Sequence, residues 1–110
     1  MKVCEIVEQL GWRVLAGAGG LDVEVTGGYV ADLLSCVMAG AEAGDLWITL
    51  QTHANIVAVA SLLGVSAVIV AEGAGVPEGT VEKAEEQGMP VLSSPDPVYE
   101  SVAQLIALGV

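Results

Sequence analysis

Polar side chains cluster at three places where a predicted strand gives way to a loop or a helix. Glycine lets backbone N–H groups approach a bound group closely, and hydroxyl, amide and imidazole groups can hydrogen-bond to it. His53 is the only histidine, so it is the only side chain that titrates near neutral pH without a large perturbation. These residue types favour binding of a nucleotide or another small anionic ligand. The candidate ligand-binding residues are Thr26, Gly27, Gly28, Asp32, Thr49, Gln51, Thr52, His53, Ser93 and Ser94.

Each cluster also has a local interpretation, in which the same side chains only shape the backbone. Thr52 could cap the helix that follows it, with His53 in the first turn, because helix N-caps prefer residues such as threonine. Asp96 followed by Pro97 is an ordinary helix start. A glycine pair can serve a turn alone. The sequence leaves both interpretations open at all three places.

The residue patterns of familiar catalytic and metal sites do not occur in the chain. There is no Gly-x-x-x-x-Gly-Lys-Ser/Thr phosphate loop, no Gly-x-Gly-x-x-Gly and no Gly-x-Ser-x-Gly. Cys4 and Cys36 sit in no metal-ligand spacing, and with one histidine they predict no structural zinc site. We therefore expect no cofactor, no metal and no enzymatic activity. General-base catalysis by His53 is the weaker alternative, because no second catalytic group stands out.

The net charge of the chain argues against two classes of binding partner. Fourteen acidic residues against three basic ones give a formal charge of −11, which repels nucleic acids and anionic membrane surfaces. Residues 56–71 carry no charge, but this stretch is shorter than the ~20 residues that cross a bilayer. It predicts a buried helix, a tight turn at Gly64 and a core strand. No signal-peptide pattern precedes the first predicted helix, so a cytoplasmic location is expected.

Strand and helix patterns alternate along most of the chain. This alternation predicts βαβ units with right-handed crossovers, and thus a single α/β domain over residues 1–110. The expected architecture is three-layer, a mainly parallel sheet with flanking helices. Strands are predicted at 13–17, 45–50, 66–72 and 90–94, and helices at 2–10, 33–40, 53–64, 80–88 and 96–109. The segment at 24–32 is predicted to begin extended, with Thr26–Gly28 at the end of a strand.

The chain is unusually apolar, with 54% hydrophobic residues. Such an excess suggests an apolar surface beyond the core that is covered in an oligomer, and we expect a homodimer. The nearly all-apolar helix at 54–63 could lie between layers or at the dimer interface. Tyr99 is expected to pack in the core.

Two stretches resemble a known family, the DRTGG domain, which is named for an Asp-Arg-Thr-Gly-Gly motif. Thr26, Gly27 and Gly28 match the end of the motif, while Glu24 and Val25 stand in place of its aspartate and arginine. The downstream stretch GDLWITLQTHANIVAVASLLGVSAVIV (44–70) is also similar to standalone members of this family. More distantly, the same stretch is similar to the N-terminal domain of Mur ligases, which holds a uridine-nucleotide sugar.

The resemblance implies an α/β regulatory module that self-associates and has no established chemistry of its own. In HPr kinase/phosphorylase such a module precedes the kinase domain, whose phosphate loop this chain lacks. We therefore expect a standalone regulatory or ligand-sensing homodimer, with Thr26–Gly28 and Gln51–His53 forming two walls of one crevice. The missing arginine removes the obvious phosphate partner of the motif. The alternative is an acidic adaptor that binds a basic protein partner without a small ligand.

Overall fold

A computed structural model describes all 110 residues and contains five helices and five strands, which alternate except that no α-helix separates the first two strands. The strands are β1 (Arg13–Ala16), β2 (Gly27–Val30), β3 (Asp45–Thr49), β4 (Ala67–Val70) and β5 (Val91–Ser93). The helices are α1 (Val3–Leu10), α2 (Leu34–Gly40), α3 (Asn55–Leu63), α4 (Glu78–Gln87) and α5 (Val98–Ala107), and Ala18–Gly20 forms a short 3₁₀ turn. The predicted α/β class is confirmed, including the buried helix, turn and core strand of residues 56–71.

The strands form one sheet in the order β1-β5-β4-β3-β2. β2 to β5 are parallel neighbours, and only the edge strand β1 runs antiparallel, against β5. Each pair of successive parallel strands is joined by one helix, so the chain steps across the sheet in a single direction from β2 to β5. This is the mainly parallel sheet that alternating strands and helices predict.

Both faces of the sheet are covered, which gives the predicted three layers. In β3, Trp47 belongs to the core under α2, α3 and α4, whereas Leu46 and Ile48 belong to the core under α1 and α5. Strands buried on two faces need apolar side chains at successive positions, and for this reason β3 and β4 are nearly continuous apolar runs. Helix α3 packs against the sheet, which is the first of its two predicted positions; it buries Ile56, Val57, Val59 and Ala60.

The last helix is two residues shorter at each end than its predicted range of 96–109. Gly109 follows the helix with φ +94°, a backbone conformation that glycine adopts without strain. At the start, however, Pro97 is the N-cap and α5 begins at Val98. The Asp96 side chain does not cap the helix, and its Oδ2 atom accepts a hydrogen bond from Gln104 Nε2 at 2.7 Å.

The two ion pairs of the protein both tie its first residues to the stretch before β2. The N-terminal amine lies 3.1 Å from Glu24 Oε2, and Lys2 Nζ lies 2.8 Å from Asp22 Oδ1. The hydrogen bond to Asp22 raises the pKa of Lys2 above its ordinary value. No helix of the structure has both the length and the apolar character that crossing a bilayer would require.

Candidate functional site

The carboxyl ends of β2 and β3 are joined by a small hydrogen-bonded network. Asp32 Oδ1 accepts hydrogen bonds from Thr49 Oγ1 and from the Leu50 N–H, both at 2.8 Å. The same hydroxyl accepts from the Gln51 N–H at 3.0 Å. Thr49 is fully buried, so its hydroxyl is satisfied as both donor and acceptor inside the protein. The structure therefore brings Asp32 and Thr49 together, as ligand-binding candidates on neighbouring strands should be.

The next residues turn the chain into α3 with their own side chains. Gln51 Oε1 accepts from the N–H groups of Thr52 and His53 at 3.2 and 3.4 Å. His53 Nδ1 accepts from the Asn55 N–H at 3.0 Å, so the exposed imidazole, and not the Thr52 hydroxyl, covers the start of the helix. Nδ1 can accept only while it carries no proton, which leaves Nε2 as the ring donor. Most polar atoms of this cluster thus serve the local interpretation.

The Ser93–Ser94 cluster divides into one internal and one free hydroxyl. Ser94 is fully buried, and its Oγ lies 2.7 Å from Ser101 Oγ and accepts from the Asp96 N–H at 3.3 Å. This network fixes the turn between β5 and α5. Ser93 is half-buried, and its hydroxyl forms no hydrogen bond within the protein. Of the two serines, only Ser93 keeps a donor for a ligand.

The predicted crevice between Thr26–Gly28 and Gln51–His53 does not exist. Gly27 pairs with Asp45 at the amino end of β3, whereas Gln51 follows its carboxyl end. A strand rises about 3.3 Å per residue, so the five residues of β3 hold the two groups roughly 15 Å apart. The prediction was wrong because it placed the glycines at the end of their strand, and they begin it.

Close backbone approach at the glycines is nevertheless observed. A Cβ atom on Gly27 would lie 2.8 Å from Asp45 Oδ1, and one on Gly44 would collide with Thr26 Oγ1. The Thr26 N–H also donates to the Gly44 carbonyl at 2.9 Å. These contacts hold β2 against the start of β3, and they give Thr26–Gly28 a structural task at the amino edge of the sheet.

The structure shows no second chemical group beside the single histidine. The His53 ring contacts a backbone N–H and no acidic or nucleophilic side chain by hydrogen bonding. Cys4 and Cys36 are both free thiols, and no group of three or more His, Cys, Asp or Glu side chains is arranged to hold a metal ion.

A cleft that the sequence did not reveal lies at the carboxyl edge near β1 and β5. It has a volume of about 390 Å³ and is lined by Arg13, Ser93 and the loop at 73–76, among others. The available signal was a basic residue in a chain with only three, and a glycine-rich run directly after a predicted strand. Nothing in the sequence indicates that residues 13 and 93 are neighbours.

An apolar groove between α5 and β2 was also missed as a location. It has a volume of about 600 Å³, and all of its lining residues are hydrophobic. Tyr99 is 86% exposed there, which corrects its predicted place in the core, and Ile106 is 64% exposed. We call this surface the α5–β2 face; it consists of Val30, Val98, Tyr99, Val102, Ala103 and Ile106.

Comparison with known proteins supports the fold of this chain but does not assign the chain to a family. No protein-family model matches the sequence, and no curated protein matches it either. A solved structure of similar fold contains the CBS and DRTGG domains of the regulatory region of a Clostridium perfringens pyrophosphatase, in complex with the activator diadenosine tetraphosphate.

The similarity to that structure has a TM-score of 0.72 at 18% sequence identity. It covers 94% of this chain but only 45% of the neighbour, so the present protein spans less than half of that regulatory region. The comparison supports a DRTGG-like fold, as the resemblance of the sequence implies.

Proposed function

We propose that this protein is a regulatory module that senses a small anionic ligand and acts as a homodimer, with no catalytic activity of its own. The observation that carries the proposal is the α5–β2 face. Val30 on the strand is 50% exposed, although Ile48, its partner on the neighbouring strand β3, is buried. A contiguous apolar surface of this kind marks an interaction site.

The geometry of this surface suits a second copy of the same chain. β2 is an edge strand, and a two-fold axis perpendicular to the sheet would pair it antiparallel with β2 of the partner. Such an axis keeps both α5 helices on the same side of the joined sheet. With strands about 4.8 Å apart, β3 and its counterpart would be separated by roughly 14 Å. Because α5 packs over β3, the two helices would then close over Val30 of both copies.

Charge also favours this surface for self-association. Each chain carries a formal charge of −11, so most approaches place carboxylates opposite carboxylates. None of the six lining residues of the α5–β2 face is charged. Two copies can therefore meet there without bringing like charges into direct contact.

The ligand-sensing part rests on the carboxyl edge of the sheet and on the fold neighbour. Parallel sheets of this type bind ligands beyond the carboxyl ends of their strands. The neighbour is a regulatory region that binds a nucleotide activator, which supports a nucleotide or another small anion as the ligand here. His53 and Ser93 retain free polar atoms at this edge and remain candidate ligand contacts, while the internal bonds of Asp32, Thr49 and Ser94 position the loops.

Sedimentation velocity of the wild type and two variants tests the dimer. Ile106→Glu places a charge in the α5–β2 face and should give a folded monomer. Leu62→Glu is the matched control, because Leu62 is 73% exposed on α3, away from that face. It should leave the dimer intact, and circular dichroism should be unchanged in both variants.

A monomeric wild type at micromolar concentration, or an Ile106→Glu variant that stays dimeric, would remove the α5–β2 face as the interface. A monomer would favour the acidic adaptor instead. That alternative has one observation of its own, since α4 exposes the carboxylates of Glu78, Glu82 and Glu86 to a basic partner. A complex formed through α4 should weaken steeply with salt.

A further inference from the structure

The cleft beside Arg13 lies at one edge of the sheet, between the sheet and the helix layer that contains α4. It is bounded by the edge strand β1, by α4 and by the loop at 73–76 that follows β4. Leu15, Val76 and Val81 give it an apolar wall, and Arg13 and Ser93 give it a polar one. Its volume of about 390 Å³ is in the range of ligand pockets and exceeds what a single ion needs.

Arg13 has no partner inside the protein. The chain has three basic side chains against fourteen acidic ones, and one of the three, Lys2, is paired with Asp22. The Arg13 guanidinium forms neither an ion pair nor a hydrogen bond, although carboxylates are plentiful. An unpaired guanidinium at a cleft offers a planar set of five donors to a bound oxyanion.

Ser93 adds a hydroxyl to the same wall. Arg13 and Ser93 are directly opposite each other in the antiparallel pairing of β1 and β5. Opposite residues of an antiparallel pair project from the same face of the sheet, with Cβ atoms about 5 Å apart. The free Ser93 hydroxyl is therefore held beside the guanidinium stem.

The loop at 73–76 supplies backbone donors on the other side of the cleft. Glu72 and Gly73 both adopt positive φ, +61° and +60°. Their N–H groups donate to the carbonyls of Asp96 and Ser94 at 2.9 Å, and these bonds anchor the loop. The N–H groups of Gly75 and Val76 have no acceptor within the protein. A Cβ atom on Gly75 would meet nothing within 4 Å, so the space beside this backbone is open.

We propose that this cleft binds a small organic phosphate. The phosphate oxygens accept hydrogen bonds from Arg13, Ser93 and the N–H groups of Gly75 and Val76, and the organic part contacts the apolar wall. Arginine side chains and unpaired backbone N–H groups are both recurrent donors in phosphate recognition. The proposal rests on the ligand-sensing function above and names the site and the ligand class for it.

Titration of ¹⁵N-labelled protein, followed by NMR, tests the site with three probes: AMP, adenosine and inorganic phosphate. AMP should shift the amide signals of Gly75 and Val76 saturably, and inorganic phosphate should shift them more weakly. Adenosine should not shift them. Arg13→Gln should weaken AMP binding at least tenfold, because a charge-assisted contact is lost. Lys83→Gln is the matched control, since it removes the same charge from an exposed, unpaired side chain on α4. It should leave AMP binding within twofold.

Equal binding of adenosine and AMP would overturn the phosphate as the recognised group. Unchanged affinity in Arg13→Gln, or no saturable shift by either phosphate at millimolar concentration, would overturn the site. AMP shifts confined to the residues around Asp32 and His53 would move the ligand to the other side of the edge, and the sensing function would survive without this cleft. The dimer is measured separately and does not depend on any of these results.

Discussion

Thr49 shows how much a single buried hydroxyl can hold together. It donates to Asp32 on the β2 side and accepts from the Gln51 N–H on its own side. Thr49→Val keeps the shape of the side chain but leaves the Gln51 N–H without an acceptor. We expect a loss of about 1–3 kcal/mol in the free energy of unfolding, measured by urea denaturation.

Thr26→Val provides the comparison for that measurement. The Thr26 side chain is exposed and makes one long hydrogen bond of 3.4 Å to the Ala43 carbonyl. Its loss should cost about 0.5 kcal/mol or less, as for other surface substitutions. A loss for Thr49→Val as small as that expected for Thr26→Val would mean that the Asp32–Thr49 network does not stabilise the fold.

At the scale of single residues, the sequence predicted the right residue types and could not predict their partners. Asp32, Thr49 and Gln51 do meet at one edge, but mainly to satisfy one another, because ligand sites and helix starts use the same residue types. Arg13 escaped notice because its neighbour Ser93 lies 80 positions further along the chain, which only the strand order reveals.

Gly73, in the connection between β4 and α4, and Gly79, in the first turn of α4, should respond oppositely to the same substitution. A Cβ atom would meet nothing within 4 Å at either Gly73 or Gly79. Gly73 has φ +60°, so Gly73→Ala should cost about 1–2 kcal/mol from the backbone alone. Gly79 lies inside α4, and Gly79→Ala should stabilise the protein by up to about 1 kcal/mol. Thermal unfolding of the two variants decides this, and a shift of the same sign in both would contradict it.

At the scale of elements, apolar runs were the most informative signal. Strands β3 and β4 and helix α3 were predicted within a few residues, because burial on two faces forces an uninterrupted apolar sequence. Strand β2 was misplaced by its glycines, which carry no side chain to reveal alternation. Gly27 and Gly28 pair with Asp45 and Leu46, and only this register shows that they start the strand.

At the scale of the whole molecule, the net negative charge disfavours self-association, whereas the apolar α5–β2 face favours it. A dimer joined through the uncharged α5–β2 face still brings together two chains of charge −11. Added salt screens this repulsion over about 8 Å at physiological ionic strength. The dimer should therefore tighten as salt is raised, which sedimentation equilibrium at several salt concentrations measures. A dimer that loosens with salt would instead be held by opposite charges.

The pairing of the first strand with the last has a mechanical consequence. Arg13, where the chain enters β1, lies opposite Ser93, where it leaves β5. Tension applied to the two ends of the chain, once α1 and α5 have detached, would peel the bonds between these strands apart one after another. Handles at positions 42 and 72 would instead load the parallel strands β3 and β4 along their length, so that all their bonds resist together. In an optical trap the first geometry should open at a clearly lower force. The strand ends at the Arg13 cleft would be the first part of the sheet to separate under load. A ligand bound there would hold β1 and β5 together.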